Sequence, residues 1–302
     1  MVGPLDHAIG TLAVPCVARP ALLDVEAIQY RAAGAKGVER RDPVDPGDAQ
    51  FRLQLKGNIV ARGRGNRIGR ACALGLAGAG ASVVVADLNA EGAKAVADEI
   101  VAAGGKAISV GVDITDPDLV AAMAKAGIDT FGGIDILVNN AALMVEVGAA
   151  QAANIPLADW NRLMTVNVTG ALICAQAVIP SMRARGGGRI VNQVSGGAFP
   201  ALGLYGVSKL ALTGLTVAMA KQLGREKINV NAIAPGNVTS EAGSALVPPD
   251  PPFAQFLAAS VCTRAQGAPD ELVAALLLLC SQAGDWITGQ TLHVAGGWVL
   301  LP

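Results

Sequence analysis

A tyrosine and a lysine four residues apart are the first pair in this sequence whose types could do chemistry. Tyr205 and Lys209 lie in the segment YGVSK, and this spacing places both side chains on one face of a helix. A free phenol has a pKa of about 10, and a neighbouring ammonium stabilises the phenolate, so the pair could exchange a proton near neutral pH. Ser195 lies ten residues upstream and could bring its hydroxyl to the same point. These residues predict general acid/base chemistry.

An asparagine inside an apolar segment is a further candidate for a functional residue. Asn167 lies inside a long apolar segment that is predicted to be helical. An Asn in such a place is more often a hydrogen-bonded core residue than a catalyst. Its role therefore depends on what surrounds it.

A glycine-rich turn precedes the first clear helix. Gly63, Gly65 and Gly69 cluster in ARGRGNRIGRA, where glycines let the backbone approach a pyrophosphate at a helix N-terminus. Asp87 ends the next apolar run, 18 residues after Gly69, where a carboxylate can accept hydrogen bonds from ribose hydroxyls. Ordinary turn glycines or a surface carboxylate would explain either feature alone. Together they predict dinucleotide binding.

The elements that must position these residues alternate regularly from residue 55 onward. The predicted strands are 82–87, 107–112, 134–139, 189–194 and 228–233, with a short one before the glycines. The predicted helices are 68–79, 90–103, 116–131, 157–184, 203–224 and 269–282. The strands are almost entirely apolar, as in a parallel sheet that is covered on both faces. The pattern predicts an α/β fold: one Rossmann-type domain with a doubly wound parallel sheet and helices on both faces.

The first fifty residues have a different character. The stretch 40–50, RRDPVDPGDAQ, combines proline, glycine and charge in the manner of a linker. We therefore expect residues 1–52 to be a flexible N-terminal extension and residues 53–302 to be the domain.

Composition excludes several classes of partner. The net charge is -1 and aromatic residues are 3%, which favours neither nucleic acid nor an anionic membrane surface as a partner. No apolar run approaches the ~20 residues of a membrane span. Five scattered cysteines predict reduced thiols in a cytoplasmic protein, and two histidines predict no metal site.

Over about residues 53–302 the sequence resembles the classical short-chain dehydrogenase/reductase family. The matching segments, in order, are the glycine turn up to IGRA, VVVADL, VDITD, LVNNAA, VNVTGAL, GRIVNQVS, YGVSK, INVNAIAPG and WITGQ. The resemblance implies a Rossmann fold, a nicotinamide cofactor and a hydride transfer to or from a small-molecule substrate.

The resemblance also implies roles for particular residues. Asn167, Ser195, Tyr205 and Lys209 match the catalytic tetrad. In that scheme Tyr205 is the general acid/base, Ser195 stabilises the substrate oxygen, Lys209 lowers the tyrosine pKa and holds the ribose, and Asn167 positions a water relay. The positions matching cofactor-binding residues are Gly63, Gly65, Arg67, Ile68, Gly69, Asp87, Leu88, Asp113, Ile114, Asn139, Ala141, Tyr205, Lys209, Pro235, Gly236 and Val238.

Three positions depart from the family pattern. Arg62 replaces the usual threonine of the glycine turn, Arg67 replaces its middle glycine, and Ala295 replaces the usual aspartate. Arg67 has a precedent in the pteridine reductases of the same family. Asp87 matches the position that favours NAD, whereas Arg64 and Arg67 could attract the 2′-phosphate of NADP.

The leading interpretation is an NAD(H)-dependent dehydrogenase or reductase that acts on a hydrophobic secondary alcohol or ketone, with NADP as the alternative cofactor. Two other interpretations stay open: an impaired family member that binds a ligand or partner, and an NADPH-dependent 3-oxoacyl reductase. We also expect a cytoplasmic homotetramer or homodimer, because in the resembled family the helices at 157–184 and 203–224 build the main dimer contact.

Overall fold

In the part of the chain that the structure describes, seven parallel strands form one sheet. The computed structural model describes residues 58–62, 67–144, 152–201, 203–239, 255, 259–263 and 266–298. The strands are β1 (Asn58–Arg62), β2 (Ser82–Asp87), β3 (Lys106–Gly111), β4 (Ile136–Asn139), β5 (Gly188–Gln193), β6 (Ile228–Pro235) and β7 (Thr291–Val294). Their order is β3-β2-β1-β4-β5-β6-β7, and every pair is parallel. The order reverses between β1 and β4, which is where doubly wound sheets bind their ligands.

Helices connect the strands. They are α1 (Arg67–Gly78), α2 (Ala90–Ala102), α3 (Pro117–Phe131), α4 (Leu157–Met164), α5 (Gly170–Ala184), α6 (Gly203–Leu223) and α7 (Glu271–Cys280). Local sequence signals set several ends. The Asn89 side chain caps α2, and the Asp116 side chain caps α3 ahead of Pro117. Gly132, in the left-handed region, ends α3.

The two faces of the sheet pack against different helices. Val83 and Val85 face a core formed with α1, α2 and α7. Val84 and Ala86 point the other way, into a core formed with α3, α5 and α6. Apolar residues at successive positions are therefore buried on opposite faces, as expected for a parallel sheet between helix layers. This arrangement confirms the predicted fold class.

Several elements differ from the sequence prediction. Strand β4 begins at Ile136, two residues later than predicted, and α7 is two residues shorter at each end. The helix predicted over 157–184 is divided into α4 and α5 by a π-helical turn, Thr165–Thr169. Strand β6 continues to Pro235, two residues beyond the predicted 228–233. Strand β7 was not predicted, because its four residues TLHV are only partly buried and too short to show a pattern. The predicted extension at residues 1–52 lies outside the described residues.

Two stretches, Leu157–Ala184 and Gly203–Glu226, are long and apolar enough to cross a membrane, with mean hydropathies of 1.6 and 1.2. Core helices of globular proteins pass the same test. Here α5 and α6 supply buried residues such as Cys174, Val178 and Met219 to the core beneath the sheet. Their apolar character is therefore used in packing within this chain.

Candidate active site

Ser195 and Tyr205 come from the end of a strand and the start of the next helix. Ser195 follows β5 by two residues in extended conformation, and its Oγ accepts a hydrogen bond from Gly197 N at 3.1 Å. A short 3-10 turn, Gly196–Ala198, follows at once. Helix α6 begins at Gly203, which places the half-buried Tyr205 in its first turn. We call residues 195–198 the serine loop.

The serine loop packs directly against the first turn of α6. A Cβ atom at Gly206 would lie 2.5 Å from the carbonyl oxygen of Gly197 and 2.9 Å from the carbonyl carbon of Ala201. Side chains do not tolerate such distances to backbone atoms, so the residue after Tyr205 must be glycine for this contact to exist. The close approach fixes Ser195 relative to Tyr205.

Lys209 lies one helical turn beyond Tyr205, and its side chain is 1% exposed. Its Nζ donates a hydrogen bond to Gln193 O at 2.7 Å and lies 5.6 Å from the centroid of the Tyr205 ring. Burial lowers the pKa of Lys209 to about 7, because removal from water disfavours the charged ammonium.

The Tyr205 pKa shifts in the opposite sense from the sequence expectation. We expected the Lys209 charge to stabilise the phenolate, but burial raises the pKa of the phenol above its ordinary value. Desolvation is the cause of this shift, because loss of water around the phenol disfavours the charged phenolate. In this structure the phenol therefore holds its proton at neutral pH, as a proton donor must.

Asn167 lies at the centre of the π-helical turn and is 1% exposed. Its Oδ1 accepts a hydrogen bond from Leu143 N at 2.7 Å, and its Nδ2 donates to Leu143 O at 3.0 Å. The same Nδ2 donates to Ser208 Oγ at 2.9 Å. The amide thus joins the loop after β4, the π turn and α6. Single π turns inside helices are common at functional sites.

A second chain of buried polar groups runs beneath the site. Asn139, at the end of β4, donates through Nδ2 to Asn192 Oδ1 at 2.9 Å and to Ala171 O at 3.3 Å. Asn192 in turn donates to Thr216 Oγ1 at 2.9 Å, and Thr216 donates to Leu212 O at 2.8 Å. These bonds tie β4 and β5 to α5 and α6. Asn139 therefore has a structural role here besides the cofactor role that the family resemblance implies.

Two carboxylates lie at the other side of the switch point. Asp87, the last residue of β2, is 6% exposed and accepts a hydrogen bond from Asn89 N at 2.8 Å. Asp113 Oδ1 accepts from Thr115 N at 2.9 Å and from Thr115 Oγ1 at 2.8 Å. Leu88 beside Asp87 is 67% exposed, so an apolar surface is available next to this carboxylate.

The predicted glycine turn is only partly described. Gly63 and Gly65 lie outside the described residues. Arg67 begins α1, and the next two residues, Ile68 and Gly69, are buried. Ile114, one of the predicted cofactor-binding residues, packs its side chain against Gly170 at the start of α5.

The predicted cofactor-binding residues Pro235, Gly236 and Val238 lie at the end of β6 and just after it. Pro235 ends the strand, and Gly236 N donates to Val294 O at 3.1 Å. A Cβ atom on Gly236 would lie 2.7 Å from the Cα of Ala295, so this segment packs closely on the chain after β7. A cavity of about 480 Å³ adjoins it, and its lining includes Gly236, Val238, Glu271, Leu272, Ala295 and Gly296. The cavity lies beside the tetrad rather than at it.

The residues at the switch point fit a dinucleotide. Asn140 directly follows β4, and its buried Oδ1 has no hydrogen-bond partner among the described residues. A buried acceptor of this kind costs free energy unless a ligand or water satisfies it. Asn139, Asn140 and Ala141 lie at the carboxyl end of β4, where such folds bind nucleotides. Within the described part of the chain, no group of three His, Cys, Asp or Glu residues could hold a metal ion.

Comparison with known proteins agrees with this geometry. A family model described as Enoyl-(Acyl carrier protein) reductase matches residues 61–299. An uncharacterized oxidoreductase of Mycobacterium tuberculosis is 43% identical over 241 residues, which cover 80% of this chain and 96% of that protein. The chain belongs to the short-chain dehydrogenase/reductase family. It is therefore an NAD(P)-dependent oxidoreductase that transfers a hydride between the cofactor and an alcohol or ketone.

Two solved structures are similar over the same region. One is a 7α-hydroxysteroid dehydrogenase complexed with NADH and 7-oxo glycochenodeoxycholic acid, with TM-score 0.76, 37% identity, and coverage of 82% of this chain and 96% of that one. The other is a putative NAD(P)-dependent gluconate 5-dehydrogenase from Beutenbergia cavernae with bound NADP, with TM-score 0.75, 35% identity, and coverage of 82% and 98%.

Sequence reasoning missed two polar residues at the site, Asn140 and Ser208, and two polar residues in the core beneath it, Asn192 and Thr216. Asn192 could have been found, because it interrupts the apolar run of a strand that is predicted to be buried. Ser208 lies inside YGVSK but gives no signal of its own, because a serine in a helix usually bonds its own backbone.

Proposed function

We propose that this enzyme interconverts a hydrophobic secondary alcohol and its ketone, with Tyr205 as general acid/base and NAD as the preferred cofactor. The observation that supports this most directly is the position of Lys209. Its buried Nζ is held by the Gln193 carbonyl, two residues before Ser195, and lies 5.6 Å from the Tyr205 ring. The end of β5 therefore anchors Lys209 through Gln193 and carries Ser195 two residues later, and these contacts support a shared role of the serine, the phenol and the ammonium.

The proton steps follow from these contacts. In reduction, the Tyr205 phenol donates its proton to the carbonyl oxygen, and in oxidation the phenolate takes the proton of the alcohol. Ser195 Oγ already accepts from Gly197 N, so its own O–H is the group that can donate to the substrate oxygen. The nicotinamide supplies or accepts the hydride when it is bound.

Lys209 would hold the ribose of the nicotinamide half of the cofactor, and Asp87 would hold the ribose of the adenosine half. An ammonium carries three donors, of which Lys209 directs one to Gln193, so others can reach ribose hydroxyls. Asp87 is buried at a strand end and would oppose a 2′-phosphate. These features support a preference for NAD.

The proposed substrate is apolar, for three reasons. Leu143 and Met144 are half-buried on the loop that Asn167 holds, which places apolar side chains near the tetrad. Phe199 packs on His293 with ring centroids 4.8 Å apart, beside the serine loop. The relative solved with a 7-oxo steroid supports a large apolar ketone. From the sequence, Leu204 is also predicted to face this cleft, together with a proline-rich lid over residues 237–267. Leu204 is 1% exposed and belongs to the core. Phe253, Phe256 and Leu257 of the predicted lid lie outside the described residues.

A substrate screen tests this proposal. Purified protein is assayed with cyclic, aryl and steroid ketones, with polyol and sugar substrates, and with NADH and NADPH in parallel. We expect the highest kcat/KM for a large apolar ketone with NADH. Faster turnover of a polar polyol would contradict the substrate class, and a preference for NADPH would contradict the cofactor choice.

We further propose a cytoplasmic homotetramer or homodimer without a membrane partner. Leu157 on α4 is 77% exposed, and Leu210 and Val217 on α6 are 44% and 36% exposed. These lie on the helices that the family resemblance assigns to the dimer contact. Light scattering is expected to give two or four times the chain mass of 30.4 kDa, and a species of one chain mass at micromolar concentration would contradict the assembly.

A further inference from the structure

The hydroxyl of Ser208 connects two members of the tetrad. Ser208 lies between Tyr205 and Lys209 on α6 and is fully buried. Its Oγ donates a hydrogen bond to the Tyr205 carbonyl at 2.7 Å and accepts one from Asn167 Nδ2 at 2.9 Å. The first bond is local and common for serine in helices. The second joins residues 41 positions apart.

The direction of these bonds determines the orientation of the Asn167 amide. Because the Ser208 hydrogen points to the Tyr205 carbonyl, only a donor can face the Ser208 oxygen from the other side. The Nδ2 group of Asn167 must therefore face Ser208, which leaves Oδ1 to accept from Leu143 N. Leu143 N and Leu143 O impose the same orientation from the loop after β4, so the Ser208 hydroxyl adds the bond that ties this amide to the first turn of α6.

We propose that Ser208 is a positioning residue for the proton transfer: it locks the Asn167 amide and, through the Tyr205 carbonyl, the first turn of α6 that carries the phenol. This inference rests on the proposed role of Tyr205. Ser208 touches neither substrate nor cofactor in this scheme. Its effect reaches the reaction because displacement of a reacting group by about 1 Å can cost 100-fold in rate.

Thr216 on the same helix supplies a matched control. It is also fully buried, donates to a carbonyl of its own helix and accepts from the amide of Asn192. The two residues differ in their distance from the phenol. Thr216 lies about three helical turns beyond Tyr205 on α6, whereas Ser208 lies less than one turn beyond it. Thr216→Val and Ser208→Ala therefore remove the same kind of bond at two distances from Tyr205.

The test measures kcat, KM for NADH and the solvent isotope effect for ketone reduction, with the melting temperature of each variant. We expect both variants to lose comparable thermal stability. Ser208→Ala should lower kcat by about 10- to 100-fold with KM for NADH unchanged and a larger solvent isotope effect, since proton transfer becomes slower. Thr216→Val should keep kcat within about threefold, a margin far below the loss that misplacement causes. Ser208→Thr, which keeps the hydroxyl, should recover most of the rate.

If Ser208→Ala destabilises the protein as Thr216→Val does but keeps kcat and the isotope effect of the wild type, the positioning role is wrong. If Ser208→Ala does not fold, Ser208→Cys replaces it, because a thiol is a poor donor and acceptor of similar size. Its kcat should then fall between those of Ser208→Thr and Tyr205→Phe, and a wild-type value would equally overturn the role. Full turnover in Tyr205→Phe would instead overturn the proposed function itself.

Discussion

The two sides of the switch point hold their functional residues in different ways. On the β2–β3 side, Asp87 and Asp113 each accept a hydrogen bond from a backbone N–H two residues further along the chain. On the β4–β5 side, Asn139 and Asn167 make buried side-chain bonds to residues between 24 and 53 positions away. The first kind of contact forms with the turn itself. The second forms only when several elements have packed.

This difference separates the residues that we expect to determine cofactor specificity from those that we expect to carry out catalysis. A change at Asp87 alters one local turn, whereas a change around Tyr205 disturbs groups that also hold the fold together. We therefore expect substitutions that disturb the packing around Tyr205 to affect rate and stability jointly, whereas removal of the reacting hydroxyl alone affects the rate. Substitutions on the β2–β3 side should affect cofactor choice with little loss of rate. The following predictions test this contrast, from the largest expected effect to the smallest.

Tyr205→Phe should have the largest effect on rate and almost none on the fold. It removes the hydroxyl and keeps the ring near Lys209, and general acid/base groups contribute about 10²- to 10⁴-fold. We expect kcat to fall by that range while NADH binding, followed by fluorescence quenching, stays near the wild-type value. Wild-type turnover in this variant would remove Tyr205 from the mechanism.

Gly206→Ala should reduce both rate and stability. The new methyl group would meet backbone atoms of Gly197 and Ala201, so the serine loop must move away from Tyr205. We expect kcat to fall by about 10-fold or more, in line with the cost of misplaced reacting groups. Urea unfolding and steady-state rates of the same sample measure both losses.

Gly214→Ala is the matched control for this substitution. It lies on the same helix, and a Cβ atom there would meet nothing within 4 Å. Alanine in a helix is favoured over glycine by about 0.5–1 kcal/mol, so this variant should be more stable and fully active. Equal rate losses in both variants would mean that the contact at Gly206 does not position the serine loop.

The contrast between local and long-range contacts also explains which features could be predicted from the sequence. The fold class, the strand and helix order, and the Tyr205–Lys209 pair follow from patterns a few residues long. The Asp87 and Asp113 turns are local as well. The break between α4 and α5 could not be predicted, because VNVT carries no helix-breaking residue, and the amide of Asn167 finds its partners in Leu143 and Ser208 only in the folded chain.

The pKa values of Tyr205 and Lys209 could not be predicted from the sequence for a related reason. The pair Tyr205–Lys209 indicates that a charge lies near a phenol, but not how much water either group loses. Lys209 is 1% exposed, and that burial is a property of how α6 packs on β5. Spacing alone therefore did not show that burial raises the pKa of the Tyr205 phenol.

Lys209→Met tests this burial through the pH dependence of stability. A lysine with a lowered pKa binds its proton less tightly in the folded state than in the unfolded one. Between about pH 7 and the ordinary value of 10.5, the unfolded chain therefore holds more protons, and folding stability rises with pH. We expect the stability of the wild type relative to Lys209→Met to increase by on the order of 2 kcal/mol from pH 7 to 9. Urea unfolding at several pH values measures it; a constant difference would contradict the lowered pKa.

Asp87→Asn should have the smallest effect on rate and a clear effect on cofactor choice. The Asp87 carboxylate is buried at the end of β2 and bonded to Asn89 N, so it cannot move away from a 2′-phosphate. Arginines of the glycine turn such as Arg64 could offset this repulsion, but ion pairs in contact with solvent contribute only about 0–1 kcal/mol. The amide of Asn keeps the turn and removes the charge, whereas Asp87→Ala removes both.

We therefore expect the wild type to prefer NAD, and Asp87→Asn to shift the ratio of kcat/KM values toward NADP by about 10-fold, the factor that corresponds to 1.4 kcal/mol. Asp87→Ala should shift it in the same direction with an added loss of stability, because the bond to Asn89 N is gone as well. A wild-type preference for NADP would mean that the arginines of the glycine turn decide the choice. A loss of kcat in Asp87→Asn as large as that in Gly206→Ala would mean that the two sides of the switch point are not separate.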